Sequence, residues 1–215
     1  MAAVAVLWSS MLAAAAAAGF DLLGAEPLSY LGTRPPSAVL FTGGLVAAAV
    51  LLVVFHEHLR DRYPVAPGFS AAMLAGLAGQ LVAAVVPIGG DPGVHRVHTG
   101  SALLLGASLP VLMWRFAAAQ RPGSWRRLAY ALFWVEAAAC GVGLYLSAAG
   151  AAAVAEILPA AVFHCWIAAL TFSPVGVLSP ADTDPVRVGR LDPADDVGDA
   201  GHALQLARRP TGLHP

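Results

Sequence analysis

From Ser37 to Phe55 the chain carries no charged side chain. A helix that crosses a bilayer needs roughly 20 mainly apolar residues, and this stretch is nearly that length without interruption. It is entered through Glu26–Pro36, a polar turn locked by proline. Pro35 and Pro36 lack the N–H that a helix interior needs, but proline is well tolerated in a first turn. The spacing predicts a helix that leaves the turn at about Pro36, with Ser37 helping to satisfy the orphan donors of its first turn. The turn itself carries a carboxylate (Glu26), a phenol (Tyr30) and a guanidinium (Arg34).

Five further stretches have the same character, which gives six expected spans: about 3–20, 37–55, 69–88, 98–114, 128–146 and 154–172. None contains an arginine. The first is the least apolar because Ala13–Ala18 is an alanine run, but no positive segment precedes it as in a signal peptide, so it is expected to be retained. The whole chain is 58% hydrophobic and 12% charged, with a mean hydropathy of +0.71. A soluble domain has about a quarter charged residues, so the composition points to a membrane. The formal net charge of −1 gives no reason to expect nucleic acid as a partner. Cys140 and Cys165 both fall in apolar runs and are expected as small fillers, not as a disulfide.

Arginine placement sets the expected orientation. All twelve basic residues are Arg, and ten of them (Arg60, Arg62, Arg115, Arg121, Arg126, Arg127, Arg187, Arg190, Arg208 and Arg209) fall in the second loop, the fourth loop or the C-terminal segment. Only Arg34 and Arg96 fall on the other side. The second and fourth loops and both termini are therefore expected in the cytoplasm, and the Glu26–Ser37 turn outside. Residues 1–173 form the expected six-span domain. Residues 174–215, rich in Asp, Pro, Gly and Arg, are expected as a disordered cytoplasmic tail dispensable for folding. Within the spans, Gly43, Gly44, Gly76, Gly79, Gly141 and Gly143 offer places where helices can approach closely. Pro110 and Pro159 are expected to kink or open the fourth and sixth spans.

Three groups of residues carry possible chemistry. Glu26, Tyr30, Arg34 and Arg96, with Asp21 and Glu156 nearby at the same outer face, form a candidate contact for lipid headgroups or anions. Asp91, His95 and His98 have spacing that suits a three-ligand metal site, although no zinc-hydrolase signature surrounds them. Gln80, Glu136 and His164 fall inside spans, where ionisable residues are costly and face the protein interior. Counting along the helices places Glu136 and His164 at matching depth on adjacent spans, so they are expected to bond each other. No two helices offer histidines at one depth, which argues against haem. No catalytic residue emerges.

Leu28-Ser-Tyr-Leu-Gly-Thr-Arg-Pro-Pro-Ser-Ala-Val-Leu-Phe41 resembles the first loop of the DRAM-like family, the damage-regulated autophagy modulators, which are six-span proteins. Val86-Pro87 followed by His95 or His98 resembles an element shared with bacterial six-span families of unknown function. Two positions depart from the pattern: Tyr30 stands where an aspartate is common, and Val86 where a phenylalanine is. The resemblance implies a six-span fold and a role connected with lipid; it carries no catalytic residue. The resulting expectation is an all-α integral membrane bundle of six transmembrane helices, both termini cytoplasmic, in the bacterial cell membrane. Its partners are membrane lipids and it needs no cofactor. Its role is non-enzymatic handling or organisation of lipid. The alternatives are a small proton-linked transporter using Glu136 and His164, and a metal-dependent membrane hydrolase.

Overall fold

A computed structural model of the chain describes residues 1–88 and 91–172. The expected tail, 174–215, lies outside the described residues. Among them there are six α-helices, one short 3-10 helix and no strand. The helices are α1 (Ala2–Ala18), α2 (Ser37–Arg62), α3 (Phe69–Val85), α4 (Pro92–Ala119), α5 (Ser124–Ala148) and α6 (Ala152–Phe172). The 3-10 helix, Leu28–Thr33, lies in the loop between α1 and α2. Each helix falls on one of the expected apolar stretches. The differences are at the ends: α2 runs on to Arg62 and α4 begins at Pro92, because charged residues are welcome where a helix leaves lipid.

Four helices, α2, α4, α5 and α6, are long and apolar enough to cross a membrane. α1 and α3 have 17 residues each, or about 26 Å at 1.5 Å per residue, just short of a hydrocarbon core of about 30 Å. Large apolar side chains such as Val50, Val54, Leu74, Val111, Trp134 and Leu144 are exposed, as they are on a bundle whose solvent is lipid.

The bundle is three helical hairpins in sequence. α1 packs on α2, α3 on α4 and α5 on α6, while α2–α3 and α4–α5 contacts join the hairpins. α6 closes back on α1 through a hydrogen bond from Trp8 Nε1 to His164 Nδ1 (2.9 Å). Glycine sets the closeness of each hairpin. A methyl group on Gly44 would collide with Ser10 of α1, and one on Gly76 with Ser108 of α4. One on Gly79 would lie 2.6 Å from the Ser101 carbonyl oxygen, and one on Gly143 would lie 2.7 Å from that of Ala155. Gly43 and Gly141, which the sequence offered equally, face open space.

The two prolines explain part of this. Proline has no N–H, so Pro110 and Pro159 leave the carbonyls of Gly106 and Ala155, four residues earlier, without their helical donors. Both helices nevertheless continue through the proline. Both freed carbonyls face α5. Cys140 Sγ donates to Gly106 O (3.7 Å), and Ala155 O lies against the bare Cα of Gly143. The same need to satisfy carbonyls inside the protein recurs at helix ends. Tyr63 Oη donates to Leu170 O (3.0 Å) in the last turn of α6, and Thr42 Oγ1 to Ala84 O (3.1 Å) at the end of α3.

The end of the bundle that carries Arg60, Arg62, Arg121, Arg126 and Arg127 is densely packed. Tyr63, Phe69, Phe116, Trp125, Phe163 and Trp166 form one aromatic cluster there, with ring centroids 5.5–6.4 Å apart. Gln120 ties it together with three hydrogen bonds: Nε2 donates to Pro64 O and to Phe116 O (3.0 Å each), and Oε1 accepts from Trp125 Nε1 (3.2 Å). His56, 5% exposed, stacks on Phe69 and bonds Ser70 Oγ (3.0 Å) and Glu57 (3.0 Å). Toward the other end the packing opens.

Candidate ligand cavity

Between the aromatic cluster and the 3-10 helix lies a cavity of about 530 Å³, lined by side chains from all six helices. At one end it is lined by Leu52, Met73, Leu112 and Phe163, which belong to the same buried core as the aromatic cluster. Its other end meets Leu28 and Ser29 of the 3-10 helix, together with His98, Ser147 and Glu156. The wall between is almost wholly apolar. A second cavity, of about 400 Å³, lies on the loop itself, bounded by Asp21, Glu26, Tyr30, Arg34 and Ser37.

The structure therefore gathers Glu26, Tyr30 and Arg34, as the sequence suggested. It does not bring Arg96 to them: that side chain is exposed and donates from Nε to Pro92 O (3.3 Å) on its own helix. Ser37 is 1% exposed and its hydroxyl donates to Arg34 O (2.6 Å). The start of α2 has no side-chain cap hydrogen bond, so the expected role for Ser37 is not seen.

Asp91, His95 and His98 are not gathered into one site. Asp91 Oδ1 caps α4, accepting from the N–H of Gly93 (2.6 Å) and Val94 (3.4 Å). His95 is exposed. His98 is 5% exposed and its Nδ1–H donates to Val86 O (2.6 Å), the carbonyl of the residue that ends α3. Among the described residues no group of three His, Cys, Asp or Glu side chains is placed to share a metal.

Gln80 and His164 line the large cavity; Glu136 does not. Gln80 Nε2 crosses to Leu45 O of α2 (2.8 Å). Glu136 is fully buried; its Oε1 meets Cys140 Sγ (3.5 Å), one turn on in the same helix, and its Oε2 has no partner. His164 turns to Trp8, not to Glu136. The expected Glu136–His164 bond does not form, because residue counting gives depth along a helix but not the rotation about its axis. A double-mutant cycle separates the two pairings. Trp8→Phe with His164→Ala should show a coupling of roughly 0.5–2 kcal/mol in the unfolding of detergent-solubilised protein. Glu136→Gln with His164→Ala should be additive within error. Coupling in the second pair and none in the first would overturn the assignment.

Most buried polar groups are thus engaged with backbone carbonyls or with each other, as lipid demands. Two groups at the end of the cavity next to the 3-10 helix stand apart. Ser29 Oγ is buried and has no partner. Glu156, four residues into α6, takes hydrogen bonds from the backbone N–H groups of Leu28 and Ser29, at the start of the 3-10 helix. That carboxylate supplies the cap which the 3-10 helix lacks from its own side chains. It is also exposed, and it lines the cavity. The sequence carried a signal for Glu156, a lone carboxylate near the start of an otherwise uncharged run. It carried none for Ser29 or Trp8.

A family model described as a protein of unknown function (DUF998) matches residues 1–173. The chain belongs to the DUF998 family. The match covers all six helices, so the cavity and the loop above it lie wholly inside the DUF998 region. No curated protein matches the chain, and no solved structure does.

Proposed function

We propose that this protein binds lipid in the membrane, without catalysis, by taking an apolar tail into the cavity of the bundle. The observation that supports this is the cavity itself: about 530 Å³, mostly apolar along its walls, with Gln80 and His164 as polar groups along its length and Ser29, His98 and Glu156 at the end next to the 3-10 helix. A site of that size suits a ligand of a few tens of atoms. The loop cavity with Glu26, Tyr30 and Arg34 suits contact with headgroups at the outer face, and Arg96 adds a separate cation on the same side. The resemblance of the first loop to the DRAM-like family points in the same direction.

Gly106 provides the test. It lines the cavity, and a Cβ placed there meets nothing within 4 Å. Gly106→Phe should fill the space without disturbing the helix contacts. Lipid extracted from the purified variant and quantified by mass spectrometry should fall by about tenfold, equivalent to 1.4 kcal/mol. Its melting temperature should stay close to that of the parent. Undiminished lipid in a folded Gly106→Phe variant would refute the reading.

In this reading all six α-helices are spans. α1 and α3 lie within the range of about 17–25 residues that can cross, with modest local thinning of the bilayer. Each is also the hairpin partner of a longer helix and a wall of the cavity. The arginine-rich end faces the cytoplasm, which puts both termini inside and the 3-10 helix outside, in a bacterial inner membrane. Reporter fusions at residue 215 and within the Glu26–Ser37 loop should read cytoplasmic and periplasmic respectively. A periplasmic reading at residue 215 would exclude this topology.

A further inference from the structure

We infer that the outer end of the cavity recognises an amphiphile whose polar head donates hydrogen bonds, a primary amine or an alcohol, through Glu156, Ser29 and His98. The inference deepens the lipid-binding reading and rests on it. It follows from which atoms at that end are donors and which are acceptors.

Glu156 offers carboxylate oxygens. They are held in place from behind by the N–H groups of Leu28 and Ser29, so the side chain is positioned before any ligand arrives. An ionised carboxylate has about four lone-pair sites, and two backbone donors leave some of them for a third party. His98 is fixed as an acceptor too. Its Nδ1 carries the hydrogen, because the Val86 carbonyl it meets at 2.6 Å can only accept. In the neutral ring Nε2 is then left with a lone pair. Ser29 is the third group: 8% exposed, lining the cavity, its hydroxyl without any partner in the protein. A buried hydroxyl left unpaired is destabilising, and it is the kind of group a ligand completes.

Two acceptors and one group that can accept or donate select against a head made only of acceptors. Against an ionised Glu156, a carboxylate or phosphate head would face oxygen to oxygen. An ammonium or hydroxyl head would donate to Glu156 or to His98, and a hydroxyl would also take a hydrogen from Ser29. The apolar body then runs down the cavity. His164, whose Nδ1 accepts from Trp8 and whose hydrogen is therefore on Nε2, lies eight residues further along α6, or about 12 Å. It meets the body of the ligand, not its head.

The test uses the full chain in detergent and three probes of equal length: dodecylamine, dodecanol and dodecanoate. Binding is read from the fluorescence of Trp8 at the cavity wall, with the Trp8→Phe variant as the blank. Dodecylamine and dodecanol should each bind about tenfold tighter than dodecanoate, since a hydrogen bond to a charged acceptor is replaced by repulsion. The stronger of the two identifies the head as amine or alcohol. Glu156→Gln should erase the preference for dodecylamine over dodecanoate while leaving the binding of all three measurable. If that variant does not fold, Ser29→Ala serves in its place. It should weaken dodecanol by several-fold and raise the melting temperature of the ligand-free protein, because it removes an unpaired hydroxyl. Equal affinity for the three probes would overturn the assignment of the head and leave the apolar cavity standing. Failure of all three to bind, or binding that persists unchanged in Gly106→Phe, would overturn the cavity reading beneath it.

Discussion

Gly79→Ala should weaken the bundle more than any other single methyl group added to α3. The new Cβ would lie 2.6 Å from the Ser101 carbonyl oxygen and 2.9 Å from the Leu105 nitrogen. Both are backbone atoms of α4, inside a continuous helix, and neither can turn aside as a side chain can. The clash is relieved only by moving α3 away from α4, and these two helices share the most extensive contact in the bundle. Overpacking of this kind costs typically about 1–3 kcal/mol, and in lipid no hydrophobic force between helices restores the contact. Gly141→Ala is the matched control. It stands on α5 with nothing within 4 Å of the new methyl group, and alanine favours a helix over glycine by up to about 1 kcal/mol. Thermal unfolding of the two variants in detergent should therefore move in opposite directions. A Gly79→Ala variant as stable as Gly141→Ala would show that the α3–α4 contact is looser than described.

The contrast between those glycines marks what a sequence can and cannot specify. Helix positions were legible, because an uncharged run of the right length bounded by Pro, Gly and Arg leaves few alternatives. The adjacency of α5 and α6 followed from their short loop, but the pairing of α1 with α2 across a long loop did not. Rotation of each helix about its axis was not legible. Gly43 and Gly44 are adjacent, yet only Gly44 meets Ser10 of α1. Glu136 and His164 agree in depth, yet each faces a different neighbour. In a soluble helix the polar face reveals the rotation, but here lipid makes the outer face as apolar as the inner one. The large cavity was illegible for the same reason, since its walls come from inward faces that no pattern distinguishes. The loop residues Glu26, Tyr30 and Arg34 were easier: they are polar in a chain with few polar residues, and one turn contains them. His98 was singled out as a metal ligand; it is instead a buried polar group bonded to the Val86 carbonyl just past α3, a pairing that is a consequence of packing.

Gln120→Leu should be the most damaging substitution at the arginine-rich end. Gln120 is 3% exposed and stands just past the end of α4, where the last carbonyls have no helical donor. Its amide closes three gaps at once: Pro64 O in the α2–α3 connection, Phe116 O one turn back, and Trp125 Nε1 at the start of α5. Leucine has a similar volume and fills the site, so the loss is polar and not a cavity. Each hydrogen bond contributes about 1 kcal/mol net, and a buried partner left unpaired costs about 1–3 kcal/mol. A total on the order of 3 kcal/mol or more is expected. Trp125→Phe removes only one of the three bonds and leaves one buried acceptor, Gln120 Oε1, unpaired, so it should cost about 1–3 kcal/mol and less than the leucine substitution. Gln120→Glu distinguishes geometry from charge. It keeps an acceptor for Trp125 but turns oxygens toward the Pro64 and Phe116 carbonyls in place of the Nε2 donor. It should therefore be at least as damaging as leucine. The order in thermal unfolding is then parent, Trp125→Phe, Gln120→Leu, Gln120→Glu. If Gln120→Leu were no worse than Trp125→Phe, the bonds to Pro64 and Phe116 would contribute nothing, and the aromatic cluster alone would close that end of the cavity.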